Sequence, residues 1–310
     1  MSPVTPTALE ERIPAAPIPT EAAPAATDAA ATATDAVPPT IVERIVACHD
    51  QLAACPTLDP GPQTDRLFTE LVRTCIAAPG VGAAAVLADQ RLIDLRSDLL
   101  RICAEGEGRL ETRWAQRVCA SADPETELAA FPYIENYHRL VRLELGALAG
   151  AGWSGGSHSR IAFLGGGPLP LSALLTHRAL DCRMDVIDNS PPAIRRAERL
   201  LARVQPGGSI RTVEADASRP SDMAAALTDC DLVIVAALVG MDRVAKRRVL
   251  RAVSAAVAPG THVVIRSAAE LRTMLYPDVS VDDVIAGGLT PVSLVHPMDE
   301  VVNSVWVTRR

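Results

Sequence analysis

Arg160-Ile-Ala-Phe-Leu-Gly-Gly-Gly-Pro-Leu-Pro-Leu171 is the stretch that decides the fold. Ile161–Leu164 are apolar or small, the length and composition of a buried parallel strand. Gly165, Gly166 and Gly167 follow, then Pro168 in a position to open a helix. A strand that stops in a glycine turn and feeds a helix is the ligand cradle of α/β proteins. Glycine lets the backbone approach a ligand, and the helix start offers unpaired N–H groups. Beyond the turn, β-rich runs occur at Ile161–Leu164, Met184–Asp188, Ile210–Glu214, Asp231–Ala236, His262–Arg266, Pro291–His296 and Val301–Thr308. Helical stretches such as Pro191–Val204 and Asp242–Val257 lie between them. This alternation predicts a doubly wound parallel sheet. Only Pro297-Met-Asp-Glu300 separates the last two runs, too little for a crossover, so they are expected to form an antiparallel hairpin at one edge.

Upstream of Arg160 the period is helical. Thr40-Ile-Val-Glu43 has the form of a capping box, and Ile41, Ile45, Cys48 and Leu52 follow at helical spacing. Leu67, Phe68, Leu71, Val72 and Cys75 mark a second helix, which Pro79-Gly80 is expected to end. A long helical region, expected to contain breaks, runs from about Ala84 to Ala120, with a turn at Ser121–Thr126. A last helix carries Tyr137, Leu140, Val141, Leu143 and Leu145 and ends at Gly150. Residues 1–39, rich in Ala, Pro and Thr, cannot bury enough apolar surface to offset ordering and are expected to form a disordered tail. The expected organisation is therefore a tail (1–39), an all-helical cap domain (40–150) and a Rossmann-like domain (151–310) that begins with a Gly/Ser linker.

Composition narrows the function. The net charge is −7 and no basic run occurs, which argues against nucleic acid and anionic membrane as partners. The seven cysteines include no C-x-x-C pair, so the expectation is buried thiols in a reducing cytoplasm rather than a zinc or disulfide framework. No apolar run reaches the ~20 residues that span a bilayer, and no signal-peptide pattern opens the chain. The oligomeric state is not fixed by the sequence, with which a homodimer is compatible.

Three signals fall at strand ends, where open α/β sheets bind ligands. They are the glycine turn, Asp188 about twenty residues on, placed for ribose hydroxyls, and Asp216-Ala217 after the third strand, placed for an adenine amino group. Together they point to an adenosine ligand. Spacing alone leaves NAD open, but G-x-G-x-x-G fails because its third glycine position is Pro170. Pro168 and Pro170 also leave few N–H donors for a pyrophosphate, which S-adenosylmethionine (SAM) does not need. A sheet closed by a C-terminal hairpin is likewise closer to the class I SAM-methyltransferase fold than to a nicotinamide domain.

Six segments carry a closer likeness: Leu67-Phe-Thr-Glu-Leu-Val-Arg-Thr-Cys75, Cys103-Ala-Glu-Gly-Glu-Gly-Arg-Leu-Glu111, Phe131-Pro-Tyr-Ile-Glu-Asn-Tyr137, Ile161-Ala-Phe-Leu-Gly-Gly-Gly-Pro-Leu-Pro170, Ala236-Ala-Leu-Val-Gly-Met-Asp242 and His296-Pro-Met-Asp-Glu-Val-Val-Asn-Ser304. In this order they resemble the nicotianamine synthase family over essentially everything after the tail. The resemblance implies a helical domain capping a SAM-binding domain. It also implies transfer of the 3-amino-3-carboxypropyl (aminobutyrate) group of SAM, rather than its methyl, to an amine, with methylthioadenosine released. It implies no metal in the protein. The glycine turn with Pro168, Asp188, Asp216, Ala217 and Leu238 would hold SAM.

Such a reaction needs a base for an ammonium, and a carboxylate of raised pKa suits. The family pattern puts that base at Glu107, with Glu111 four residues on along the same helix face; from the residues alone, this stretch reads as a solvated acidic face rather than as a site, and the resemblance reverses that. Gly106 and Gly108 flank Glu107; relatives more usually carry alanine at Gly106, a change expected only to loosen the helix. The resemblance places Tyr133 beside the base, whereas the bare residue reads as a buried aromatic. Tyr137 reads as packing or pocket wall. Arg266 could pair with a substrate carboxylate or sit in a surface ion pair. His296, Asp299, Glu300 and Asn303 read as a polar hairpin turn better than as a metal site, and the pattern gives His296 and Asn303 a part in closing the amino-acid pocket. Within the family, one transfer to an amino acid such as histidine and cyclisation of SAM to azetidine-2-carboxylate remain open. An ordinary methyltransferase and a non-catalytic SAM-binding module are the readings from outside it.

Overall fold

A computed structural model describes residues 40–76 and 82–310. The expected tail and the expected helix stop at Pro79-Gly80 lie outside these residues. The helical region consists of α1 (Ile41–Ala53), α2 (Pro62–Ile76), α3 (Ala83–Leu87), α4 (Gln90–Ala120), α5 (Pro124–Ala129) and α6 (Ile134–Gly150). Thr40 and Glu43 close the capping box of α1, which buries Val42, Ile45, Cys48 and Leu52 on one face. The break in the long region falls before α4, at Ala88-Asp89, where the Asp89 carboxylate caps the Arg91 N–H. From there α4 runs unbroken for 31 residues, about 46 Å at the α-helical rise.

Gly106 does not loosen α4. It is buried, and a Cβ there would fall 2.3 Å from Cζ of Phe68, so its missing side chain is the space that the α2 aromatic ring occupies. The expected turn at Ser121–Thr126 gives way to α5 for a readable reason. Asp123 caps the Thr126 N–H, and Pro124 occupies the first helical position, where its absent N–H costs nothing.

The second region holds β1 (Arg160–Leu164), α7 (Leu171–Leu180), β2 (Arg183–Asp188), α8 (Pro191–Val204), β3 (Ile210–Glu214), α9 (Pro220–Ala226), β4 (Leu232–Val235), α10 (Arg243–Ala256) and β5 (His262–Ser267). A 3₁₀ turn (Glu270–Met274), α11 (Val281–Ala286), β6 (Thr290–Val295) and β7 (Ser304–Arg309) complete it. The sheet order is β3-β2-β1-β4-β5-β7-β6, parallel except that β7 runs antiparallel to both neighbours. This is the class I methyltransferase-like architecture. Strand order reverses between β1 and β4, which opens a crevice beyond their carboxyl ends.

Two expectations are corrected here. Pro168 does not open the helix: α7 starts at Leu171, because Gly167 takes the left-handed region at φ +63° and Pro170 stands outside the helix at its cap. The hairpin strands are joined by residues 296–303 rather than by four, and β7 lies inside the sheet between β5 and β6. Val301 turns inward, its N–H held by the Asp299 carboxylate, before β7 starts.

The two regions share a core. Trp114, Phe131 and Leu140 from the helices pack in one cluster with Phe163, Leu171 and Val264 of the sheet layer. Leu271, Met274 and Leu275 pack with α1, α2 and α4. Residues 39–310 accordingly form one compact unit. No helix among the described residues is long and apolar enough to cross a membrane. The polar tie between the regions is buried: Arg266 at the end of β5 makes a two-pronged pair with Glu144 of α6, at 2.7 and 3.0 Å, and bonds Ser172 of α7 at 2.9 Å. Breaking such a pair strands a buried charge, so Glu144→Ala is expected to cost about 3–5 kcal/mol of stability in urea unfolding. Glu144→Leu combined with Arg266→Met is expected to cost clearly less than the two changes added separately.

Candidate active site

A cavity of about 1240 Å³ lies over the carboxyl ends of β1 and β4 and beneath the helices. Its floor is the glycine turn. Gly165 and Gly167 both have positive φ, +82° and +63°, which other residues adopt only with strain. The turn is pinned to β2: the Gly165 N–H donates to Ile187 O at 2.8 Å and the Gly167 N–H to Asp188 Oδ2 at 2.9 Å. Asp188 also accepts from the Ser190 N–H at the start of α8, so its carboxylate organises both segments while lining the cavity. Gly166, Pro168, Ala217 and Leu238 line the same cavity. Asp216 does so too, its carboxyl held below the usual range chiefly by the Ser218 backbone N–H, with the Arg219 guanidinium nearby at 3.3 Å.

The roof is α4. Glu107 and Glu111, one helical turn apart, both face the cavity. Glu107 accepts a hydrogen bond from the Tyr276 hydroxyl at 2.9 Å. Desolvation raises its pKa, against the opposing pull of Tyr276 and of the Arg266 guanidinium. Glu111 is pushed well above the carboxylate range by desolvation first and then by the neighbouring Glu107 charge. The Tyr137 hydroxyl donates to it at 3.4 Å. Glu111 also reaches the floor, since a Cβ on Gly167 would fall 2.6 Å from its Oε2. Of two like charges in one desolvated space only one ionises easily, and here it is Glu107.

Tyr133 and Tyr137 enter from the start of α6, stacked edge-on against Phe131 with ring centroids 5.9 and 6.1 Å away. The side chain of Thr69 on α2 stands near the Tyr133 hydroxyl and lowers its pKa, against the larger upward push of partial burial; the residue remains 39% exposed. All three tyrosines of the chain line this one cavity.

The structure thus brings together Glu107, Tyr133, Tyr137, the glycine turn, Pro168, Asp188, Asp216, Ala217, Leu238, Arg266 and Asn303. Arg266 is neither exposed nor free: it lies in the buried pair with Glu144, its guanidinium 5.1 Å from the Phe163 ring. His296 stands apart. It is exposed, its Nδ1 2.7 Å from Ser304 Oγ, and it does not line the cavity. Among the described residues no group of three or more His, Cys, Asp or Glu is arranged to hold a metal ion. Tyr276 escaped the sequence reading; its signal was the scarcity of tyrosine. Glu111 was legible only as a partner on the Glu107 face.

These features define a Rossmann-like α/β protein with a ligand cradle at its topological switch point and a pair of half-buried carboxyl groups above it. The chain belongs to the nicotianamine synthase family, whose sequence model, "Nicotianamine synthase protein", matches residues 34–310. It is 38% identical to nicotianamine synthase 9 of Hordeum vulgare over 273 residues, 87% of this chain and 78% of the relative. It is also 38% identical to nicotianamine synthase 3 of Oryza sativa subsp. indica over 275 residues, again 87% and 78%. Two solved structures share the fold. MtNAS in complex with MTA and tNA superposes with a TM-score of 0.74 at 23% identity, over 87% of this chain and 96% of that one. A glutamate-to-glutamine variant of MtNAS in complex with S-adenosylmethionine gives 0.72 at 23%, over 87% and 97%.

The raised Glu111 pKa has a consequence for stability. A carboxyl that holds its proton more tightly when folded favours folding below its unfolded pKa, and that contribution is lost as pH rises through the folded value. Glutamine keeps an acceptor for Tyr137 without the titration. Glu111→Gln is therefore expected to melt higher than the parent near pH ~8, with the advantage shrinking toward pH ~4. Parallel melting profiles across that range would mean Glu111 is not held protonated.

Proposed function

We propose that this protein transfers the 3-amino-3-carboxypropyl group of SAM to an amine, releasing methylthioadenosine and building a nicotianamine-like metal chelator. The observation that carries this reading is Glu107, a desolvated carboxylate paired with Tyr276, facing the same cavity as the glycine turn in a member of the nicotianamine synthase family. In this reading SAM lies with its adenosine between Asp188, Asp216-Ala217 and Leu238, and its methionine part runs over Gly165–Pro168 toward α4. Glu107 takes one proton from the acceptor ammonium. The freed nitrogen lone pair attacks the γ-carbon of SAM, the carbon–sulfur bond breaks, and its electron pair stays on sulfur as the neutral thioether. Tyr133, packed edge-on against Phe131, orients the amine beside the base.

Charge supports the assignment of roles. An ordinary carboxylate is too weak a base for an ammonium, and desolvation of Glu107 narrows the gap. Tyr276 and Arg266 oppose that rise and favour the ionised form that can take a proton. The acid limb of the rate then follows Glu107, and Tyr276→Phe moves it to higher pH. All seven cysteines are unpaired, which supports a reducing compartment, and we place the protein in the cytoplasm.

Mass spectrometry of the protein incubated with SAM, alone and with amino acids, tests the reading. Methylthioadenosine with a product heavier by aminobutyrate units is expected, the number of units separating single from repeated transfer. S-adenosylhomocysteine instead would mean that the methyl is moved. Glu107→Gln is expected to lower the rate by about two to four orders of magnitude while SAM affinity stays within a few-fold of the parent. Full activity of that variant would remove Glu107 from the mechanism.

A further inference from the structure

We infer that Arg73 of α2 anchors the carboxylate of the acceptor, which makes the cavity-facing row of α2 an acceptor subsite for a zwitterionic amino acid. The inference rests on the transfer reaction proposed above. Asp65, Thr69 and Arg73 lie four residues apart on α2, and all three line the cavity. Helical geometry stacks them in one row, about 6 Å per step. Two contacts tie the row to the chemistry. Phe68 packs on Gly106, the residue before Glu107, and the Thr69 side chain stands near the Tyr133 hydroxyl. Arg73 is therefore one helical turn beyond the place where the acceptor amine meets its base. Its long side chain covers that distance.

The balance of charge in the chamber singles out Arg73. Asp65 and Glu107 make this end of the cavity attractive to an ammonium and repulsive to a carboxylate, although the acceptor must bring both. Arg266 is committed to Glu144. Arg196 and Arg248 sit on α8 and α10, on the side of Asp188 and Asp216. Arg73 is exposed at the cavity rim, and among the described residues it has neither an ion-pair nor a hydrogen-bond partner. An unsatisfied donor lines the same cavity. Asn303 is 9% exposed and lines the cavity, and its Nδ2 is buried with no acceptor. A buried N–H without an acceptor is unfavourable, and a substrate carboxylate would satisfy it. A guanidinium presents a planar fork to a carboxylate, where a lysine offers only a point charge.

The test is calorimetric titration of nicotianamine and of L-histidine into the methylthioadenosine-bound protein, for the parent, Arg73→Gln and Arg73→Lys. At least one probe is expected to bind the parent, and Arg73→Gln is expected to weaken it about tenfold or more. Arg73→Lys is expected to recover part of the loss, and methylthioadenosine affinity to stay within about twofold. Removing the carboxylate should have the same effect as removing Arg73, so histidinamide is expected to bind the parent and Arg73→Gln alike. Unchanged probe affinity in Arg73→Gln, equal weakening of methylthioadenosine, or no binding of either probe to the parent overturns the subsite. Release of S-adenosylhomocysteine in turnover would overturn the proposed reaction while leaving the carboxylate dependence of binding to be read on its own.

Discussion

One buried guanidinium connects what this fold has to hold together. Arg266 ends the central strand β5 with almost no exposed surface, and an unpaired charge there would be prohibitively costly. Glu144 answers it from α6, which also carries Tyr137 and begins at Tyr133. Satisfying that one charge therefore sets the register of α6 on the sheet, and with it where two cavity tyrosines stand. Phe163 of β1 lies against the guanidinium, and Ser172 takes a further donor at the start of α7, just beyond the glycine turn. The same cation acts across the cavity to favour ionised Glu107. Buried pairs of this kind add little net stability compared with a well-packed apolar contact. What this one contributes is position: the base, the tyrosines and the glycine turn are referred to a common point.

The roof imposes the opposite problem, like charges one helical turn apart. Glu107 and Glu111 are distinguished by their neighbours. Glu107 has a short hydrogen bond from Tyr276 and the field of Arg266, while Glu111 has a longer bond from Tyr137 and the Glu107 charge beside it. One site thus holds a carboxyl that ionises more readily beside one that keeps its proton more tightly, the arrangement by which enzymes run acid and base chemistry in one place. A helix with two half-buried acids and two glycines is a poor helix by propensity alone. It persists because α4 extends well past the cavity on both sides and buries Leu92, Leu99, Ile102, Trp114 and Val118.

The sheet was legible because parallel strands read as apolar runs and punctuation falls between them. The glycine turn, Asp188 and Asp216 were found from position alone, since strand ends are where such sheets bind ligands. Glu107 was not: as a residue it read as a solvated helix face, and the family likeness alone singled it out. Tyr276 lay in Leu275-Tyr-Pro277, with no periodicity or motif to mark it, and reaches Glu107 across 169 residues of sequence. Arg266 was seen at its strand end, but its partner was hidden because Glu144 sits in an ordinary run of charged and apolar helix residues. The hairpin strands were misjudged at Val301 because a β-branched run continues through it. The Asp299 carboxylate, which holds that segment off the ladder, is a tertiary detail that propensity does not carry.

The protonation of Glu111 also bears on the leaving group. SAM enters as a sulfonium cation, and in the proposed transfer that positive charge vanishes as the carbon–sulfur bond breaks. An anion beside the sulfur would therefore stabilise the ground state more than the transition state and slow the step. Glu111 is the acid that reaches the glycine turn, where the sulfonium end of SAM is expected to lie, and it is the one held protonated. Glu107, the one that ionises, is a helical turn away beside Tyr276. The negative charge is thus kept where a proton must be taken and withheld where a positive charge must be lost. Methyl transfer to an amine would make the same two demands, on the sulfur and on the base; what separates the two reactions is which carbon of SAM faces the amine. The asymmetry of the two carboxyls fits attack of an amine on a carbon bonded to that sulfur.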